Sequence, residues 1–272
     1  MHRSQKPLPL LGMGTWGMGG KFERDESNVN ESITALQYGL EHGITMIDVA
    51  EIYGEGLSEE IVGEAIKNRD RQDVYIVSKV WKENLHHNDV LRACEGSLTR
   101  LKTDYIDLYL VHWPNPLISL KETMGALEQL YDEGKIRAIG VSNFTPELLE
   151  EGQSYLHHAH ISVHQFEYNL THHEADVGII PYCHTNNITL MGYRPYAKGK
   201  LTESISALVE KLGQKYKKTA NQITLNWVIS QGISAIPKSS STAHLNENIG
   251  ALGWNLSQED IELLRNATLL HK

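Results

Sequence analysis

The feature that most restricts what this chain can fold into is a repeated alternation of short apolar runs with helix-like stretches. The runs are "ITMIDVA", "VYIVSKV", "YIDLYLVHW", "IRAIGVSNF", "ISVHQFEYN", "ITLMGYRPY", "ISAIPKS" and, more weakly, "IGALGW". Apolar character that is nearly continuous, without strict alternation, marks strands buried on both faces, as in a parallel sheet covered by helices. Between the runs the spacing becomes helical. Val90, Leu91, Cys94, Leu98 and Leu101 form one stripe after Asn88, and Leu120, Met124, Leu127 and Leu130 form another. Ser119 with Glu122 and Thr219 with Gln222 have capping-box spacing, Thr145 precedes a proline at a helix start, and Gly43 and Gly232 sit as helix stops.

Strand and helix alternate from about residue 43 onward, with no internal repeat and no Pro/Gly/Ser-rich linker. The fold class expected is α/β, a closed (β/α)8 TIM barrel, with residues 1–272 as a single domain. An open, doubly wound sheet is the competing architecture. "GMGTWG", residues 12–17, matches the dinucleotide fingerprint of that fold, but prolines 7 and 9 precede it and "MGGKFERD" follows, where a strand and a helix are required. It reads as a flexible, glycine-rich entry loop.

Charge and composition exclude several functions. A net charge of -9 disfavours a nucleic-acid or anionic-membrane surface. The start lacks the apolar run of a signal peptide, and no stretch approaches about 18 uninterrupted apolar residues, so a cytoplasmic protein with no membrane partner is expected. Cys94 and Cys183 are far apart, as unpaired thiols in a reducing compartment would be, and no H-E-x-x-H or Cys-pair spacing calls for a metal. The histidine pairs at 86–87, 157–158 and 172–173 read as loop residues.

The polar residues of the apolar runs fall at one place. Asp48, Lys79, His112, Ser142, Asn143, Gln165, Tyr193 and Lys238 lie at or just past the C-terminal ends of successive runs. In a barrel they face one rim, where active sites of this architecture are built. Singly, Lys79 also reads as a strand-end lysine, His112 as a core histidine and Tyr53 as a loop aromatic; their succession favours a site.

At these residues the chain resembles the aldo-keto reductase family. The resemblance rests on "GTW" (14–16), "IDVAEIYGEG" with "EEIVGEAI", "SKVW" (78–81), "VHWP" (111–114), "GVSNF" (140–144), "HQFEYN" (164–169) and "IPKSSSTAHLNEN" (236–248). It implies a nicotinamide-dependent reduction of a carbonyl on a (β/α)8 barrel, with a small carbonyl or alcohol as substrate and a monomer as the common state. It also implies a tetrad of Asp48, Tyr53, Lys79 and His112. A phenol near its ordinary pKa of about 10 is a poor acid at neutral pH, and a nearby cation lowers it. Tyr53 is therefore expected to donate the proton, Lys79 to lower its pKa, Asp48 to hold Lys79, and His112 to orient the carbonyl oxygen.

The same resemblance puts the cofactor, NADP(H) with NAD(H) as a second form, along Gly14, Thr15, Trp16, Asp48, Ser142, Asn143, Gln165, Tyr193, Arg194, Pro195, Lys238, Ser239, His244 and Asn248. "PKSSS" reads equally as a polar turn between strand and helix. Trp16, Trp81 and Trp113 beside His112 give the substrate pocket an aromatic wall, with core packing as the other reading. Two departures stand out. His244 occupies the place of the family's usual Arg, and "YRPYAKGKL" replaces a Ser and a Leu after the tyrosine by Arg194 and Pro195-Tyr196. The sequence ends on "LLRNATLLHK" without the long loop that often closes this family's pocket, so an open pocket accepting many carbonyls is expected. A cofactor-binding regulatory or structural protein of the same fold is the alternative function.

Overall fold

The computed structural model describes residues 6–238 and 240–269. Eight parallel strands follow one another in chain order around a barrel: β1 (Gly12–Gly14), β2 (Met46–Asp48), β3 (Tyr75–Val80), β4 (Leu108–Val111), β5 (Ile139–Ser142), β6 (Ile161–Glu167), β7 (Thr189–Tyr193) and β8 (Ser234–Ile236). The sheet closes where Gly14 N–H donates to Pro237 O at 2.9 Å and Ala235 N–H to Leu10 O at 2.9 Å.

Helices cover the outside. They are α1 (Val29–Glu41), α2 (Leu57–Ile66), α3 (His87–Leu101), α4 (Leu120–Asp132), α5 (Pro146–Ser154), α6 (Ile179–Thr185), α7 (Glu203–Tyr216), α8 (Ala220–Ser230), α9 (Thr242–Ile249) and α10 (Gln258–Leu269). The alternation is interrupted once, between β7 and β8, by the pair α7 and α8. The stripes of α3 and α4 pack inward: Val90, Cys94, Leu101, Met124, Leu127 and Leu130 are fully buried. Thr219 and Gln222 form the expected capping box, and Thr145 caps α5.

Three sequence expectations are corrected. Residues 12–14 are not a flexible loop but β1. At Gly14 a Cβ would lie 3.1 Å from the carbonyl oxygens of Ile236 and Pro237, so the close approach that shuts the barrel there favours a residue without a side chain. "IGALGW" is not a strand: it holds the last residue of α9 and the turn after it, and its apolar residues pack outside the barrel. Ser119 precedes α4 without a side-chain cap: Glu122 N–H donates to the Ser119 carbonyl at 3.0 Å, and the Glu122 carboxylate turns to His86, 3.2 Å away.

Two apolar layers result. Met46, Val77, Leu110, Val163, Met191 and Ile236 belong to the smaller cluster, which fills the barrel. The residues two positions later, Asp48, Lys79, His112, Gln165, Tyr193 and Lys238, share that inward face but lie one layer nearer the C-terminal rim. Period-two geometry thus turns a row of strand ends into a polar floor.

Candidate active site

Lys79 is completely buried, and Asp48 is 3% exposed. The lysine Nζ donates to Asp48 Oδ1 at 2.6 Å and to Val49 O at 2.9 Å, and Gln165 Nε2 donates to Asp48 Oδ2 at 2.8 Å. Both carboxylate oxygens are thereby occupied. Thr15 supports the same residue from behind: its N–H and its hydroxyl donate to Asp48 O at 3.1 and 3.0 Å, and Ser58 donates to Thr15 Oγ1 at 2.9 Å.

The chain leaves β2, turns, and enters the short Tyr53–Gly56 helical turn. Gly54 has φ 55°, and its N–H donates to Lys21 O at 2.8 Å. A Cβ there would sit 2.0 Å from Gly19 O, so only glycine lets this loop fold back against residues 19–21. The turn lays Tyr53 over the rim. Lys79 Nζ lies 5.2 Å from the centre of its ring, the His112 ring is 5.7 Å away edge-on, and the Trp16 ring is 4.8 Å away. Tyr53 and His112 keep 8% and 9% of their surface exposed, so both reach solvent only at their tips.

Burial governs the protonation states. It pushes the Lys79 ammonium below its ordinary pKa, against the pull of Asp48 and Glu59. It holds His112 well below the usual imidazole value, helped by the charge of Lys79, so the ring is neutral. His112 Nδ1 is buried without a hydrogen-bond partner. Assigning the ring proton to Nε2 leaves only a lone pair unpaired and aims a donor at the mouth. Tyr53 corrects the sequence expectation. Its phenol is pushed well above the ordinary value, first by burial and then by the charge of Asp48. The Lys79 ammonium, paired with Asp48 at 2.6 Å, does not bring it below that value.

A second network adjoins the first. Asn143, in the left-handed region at φ 62°, donates from Nδ2 to His112 O at 3.1 Å and to Ser142 Oγ at 2.9 Å. Tyr193 donates to Asn143 Oδ1 at 2.9 Å, and Asn143 N–H to Gln165 O at 2.9 Å. Ser142, Asn143, Gln165 and Tyr193 are therefore joined to the tetrad.

The remaining residues spread along the rim. Arg194 pairs with Glu167 at 2.7 Å, Pro195 is buried, and the Tyr196 hydroxyl donates to Asn248 Oδ1, tying the segment after β7 to α9. Asn248 is 2% exposed, and its Nδ2 is buried without a partner. Lys238 is exposed beside the backbone of Gly17, and His244 is exposed in the first turn of α9, where its N–H donates to Ser241 Oγ at 3.3 Å. A groove of about 370 Å³ opens there, between Asn30, Glu31, Thr34 and Ala35 on one side and residues 240–242 on the other. Ser239 lies outside the described residues. Gly14 and Thr15 are buried parts of the barrel wall, so they act on the site through closure and through Asp48.

The tryptophans divide. Trp81 stands 5.2 Å from His112 and Trp16 beside Tyr53, whereas Trp113 is 41% exposed, outside this group. Sequence reasoning missed two residues. Phe22 contacts Trp16 at 5.1 Å and Trp81 at 6.4 Å. Glu51 accepts from Trp81 N–H at 2.6 Å and from Asn84 Nδ2 at 3.0 Å, pinning that wall. Glu51 stood inside "IDVAEIYGEG", two residues before Tyr53; Phe22 had no signal beyond its closeness to Trp16. Among the described residues, no group of three His, Cys, Asp or Glu is placed to hold a metal ion.

Residues 10–268 match the model of the Aldo/keto reductase family. The methylglyoxal reductase YeaE of Escherichia coli (strain K12) is 37% identical over 264 residues, covering 96% of this chain and 91% of that protein. A crystal structure of a thermostable aldo-keto reductase in complex with the inhibitor epalrestat aligns with a TM-score of 0.94 at 40% identity, over 98% of this chain and 97% of that one. The aldo-keto reductase of Klebsiella pneumoniae, crystallised with NADPH, aligns with a TM-score of 0.86 at 36% identity, over 95% and 90%.

Proposed function

Because the chain belongs to the aldo/keto reductase family, we propose that it is an NADPH-dependent reductase converting aldehydes and ketones to alcohols, reversibly. The observation that carries this reading is the convergence of a phenol, a buried ammonium, its carboxylate and a neutral imidazole at one barrel rim.

The residues present fit the nicotinamide cofactor. The unpartnered Nδ2 of Asn248 is a buried donor in need of an acceptor, at the end of the rim where Lys238 and the first turn of α9 supply positive potential. Asn248 would hold the adenine, Lys238, Ser239 and His244 the adenosine phosphate, and Arg194 and Pro195 would lie along the pyrophosphate. Ser142, Asn143, Gln165 and the Tyr193 ring would hold the nicotinamide next to Trp16. When bound, the cofactor supplies the hydride.

The chain supplies orientation and the proton. His112 Nε2–H holds the carbonyl oxygen, and the neutral ring neither takes up that proton nor repels Lys79. Tyr53 donates its hydroxyl proton to the same oxygen as the carbon–hydrogen bond forms. A raised pKa does not prevent this, since an alkoxide is a stronger base than a phenolate; it keeps the proton in place until an alkoxide develops. The phenolate left behind is stabilised by Lys79, 5.2 Å from its ring, until solvent returns the proton. That attraction opposes the burial that raises the phenol and limits the cost of giving up its proton.

Residues 1–272 would act as one domain and a monomer, in the cytoplasm, with no nucleic-acid partner; the net charge of -9 supports the last point. No helix among the described residues is long and apolar enough to cross a membrane. The site is tested by Tyr53→Phe, followed by nicotinamide absorbance with methylglyoxal and by NADPH binding. The variant should bind NADPH almost normally and lose at least about 99% of its rate, within the range for a lost general acid. A near-normal kcat would remove Tyr53 from the role of acid.

A further inference from the structure

Five aromatic rings make a closed circuit at the mouth. Tyr53 meets Trp16 at 4.8 Å, Trp16 meets Phe22 at 5.1 Å, Phe22 meets Trp81 at 6.4 Å, Trp81 meets His112 at 5.2 Å, and His112 returns to Tyr53 at 5.7 Å. Phe22 touches neither polar member, so it lies opposite them. Exposure gives the circuit a direction: 8% and 9% at Tyr53 and His112, 55% at Phe22. The proton-handling pair is the floor, and Phe22 is the outer lip.

The lip is held in place. Arg24 NH1 and NH2 donate to Glu60 Oε1 and Oε2, each at 3.0 Å, a fork between the Phe22 loop and α2. Within the loop, Asp25 N–H donates to Gly19 O at 2.9 Å, and Asn28 exchanges bonds with Gly19 N–H at 2.8 Å and Gly17 O at 3.0 Å. Lys21 O accepts from Gly54 N–H, next to Tyr53. An isolated exposed phenylalanine needs no explanation. One set edge-on to Trp16 and tilted against Trp81, above a catalytic pair, presents an apolar face to whatever occupies the mouth.

The geometry points to Phe22 as the residue that selects substrates by their substituent, favouring an aldehyde or ketone with an aryl group over a small polar dicarbonyl. The inference rests on the reductase reading. A carbonyl oxygen held by Tyr53 and His112 directs its substituent outward between Trp16 and Trp81. Two successive ring contacts separate the floor from Phe22, so a methyl or formyl substituent stays beneath it and an aryl ring reaches it.

The test compares wild type, Phe22→Ala and Phe22→Tyr with benzaldehyde and methylglyoxal at saturating NADPH. The ratio of kcat/KM for benzaldehyde to that for methylglyoxal should fall about tenfold in Phe22→Ala, mainly through the KM for benzaldehyde, and recover in Phe22→Tyr, which restores the ring. Quenching of tryptophan fluorescence by benzaldehyde, with NADP bound, provides a readout that needs no turnover; its apparent Kd should rise by a similar factor in Phe22→Ala. An unchanged ratio and an unchanged Kd would overturn the inference while leaving the reductase reading intact. A wild type that binds benzaldehyde with the predicted dependence on Phe22 but reduces nothing would overturn the reductase reading alone.

Discussion

Replacing Asp48 by Asn removes one charge and almost no volume, which isolates the electrostatics of the Lys79 pocket. In the native site Asp48 accepts from Lys79 at 2.6 Å and from Gln165 at 2.8 Å. The amide introduced at position 48 keeps one acceptor for Lys79, but its NH2 then faces Gln165 Nε2, and two donors cannot pair. The Gln165 amide must turn over, which takes Nε2 away from Met191 Sδ, now 2.8 Å from it. Removing one partner from a buried ion pair costs about 3–5 kcal/mol when the other charge stays. Lys79 relieves that cost by losing its proton.

The sign of the pH dependence follows from that release. The folded-state pKa of Lys79 lies below its ordinary value of 10.5, so the unfolded chain holds the proton more tightly. The resulting penalty on folding is complete below the folded pKa and disappears as pH rises towards 10.5. Without Asp48 the folded pKa drops further, and the window of penalty extends to lower pH. Urea unfolding of both proteins from about pH 6 to about pH 10 should therefore show a stability gap of about 3–5 kcal/mol at the acid end that narrows on going alkaline. Tyr53 should also titrate at lower pH in Asp48→Asn, since the charge that helps to raise it is gone. A gap independent of pH, or one below about 1 kcal/mol throughout, would refute the account of Lys79 as a buried ammonium held by Asp48.

Three further outcomes are expected. His164, buried on β6 with Nε2 accepting from Phe144 N–H at 3.2 Å, is pushed down to about 4 from 6.5, so the unfolded chain takes up the proton first as pH falls. Stability worth about 3 kcal/mol should be lost from this group between those values, and His164→Gln, measured by urea midpoints, should flatten that part of the profile; parallel profiles would contradict the assignment. Gly54→Ala places a methyl group against Gly19 O at an unfavourable φ, and should lower the Tm and kcat/KM together, with at least about 2 kcal/mol of stability lost; a variant keeping both would mean that the Tyr53 loop is free to shift. His244→Arg should strengthen NADPH binding several-fold more than NADH binding in fluorescence titrations, and equal effects on both would remove His244 from the phosphate site.

Seven of the eight strands were legible because a strand buried on both faces has to be apolar throughout. β1 was not, since it is three residues long with glycine at both ends, where close neighbours such as the Ile236 and Pro237 carbonyls favour the absence of the side chains that make a strand recognisable. The opposite error occurred at "IGALGW", where an apolar run serves the outside of the barrel and α9 supplies its first residue. Asp48, Lys79 and His112 were legible for a simple reason: a polar residue two positions past an interior apolar one has only the rim to occupy, whereas Tyr53, on the loop after β2, was legible through the family motif around it. Residues that act through loops gave no such sign. Phe22 reaches the mouth because residues 17–28 fold back under their own hydrogen bonds, and the link from Tyr196 to Asn248 spans 52 residues.

The direction of the Tyr53 shift was also beyond the sequence, and its cause explains how the four residues work together. A lysine near a phenol lowers the phenol's pKa only if its charge is free to act, and residue order does not reveal whether that charge is already matched. Here Asp48 matches it, and the whole group is buried. The same burial that raises Tyr53 lowers His112, so both side chains facing the mouth are neutral and each has one donor, a phenol O–H and an imidazole Nε2–H. Two neutral donors meet a carbonyl oxygen without taking or imposing a charge beforehand. Charge arises only when the proton leaves Tyr53, and the Lys79 ammonium, 5.2 Å from the ring, then limits the cost of that charge. A site with a solvated lysine and a much more acidic phenol would hold part of that phenol as phenolate near neutral pH, with no proton to give; burial keeps the proton on Tyr53 until an alkoxide develops.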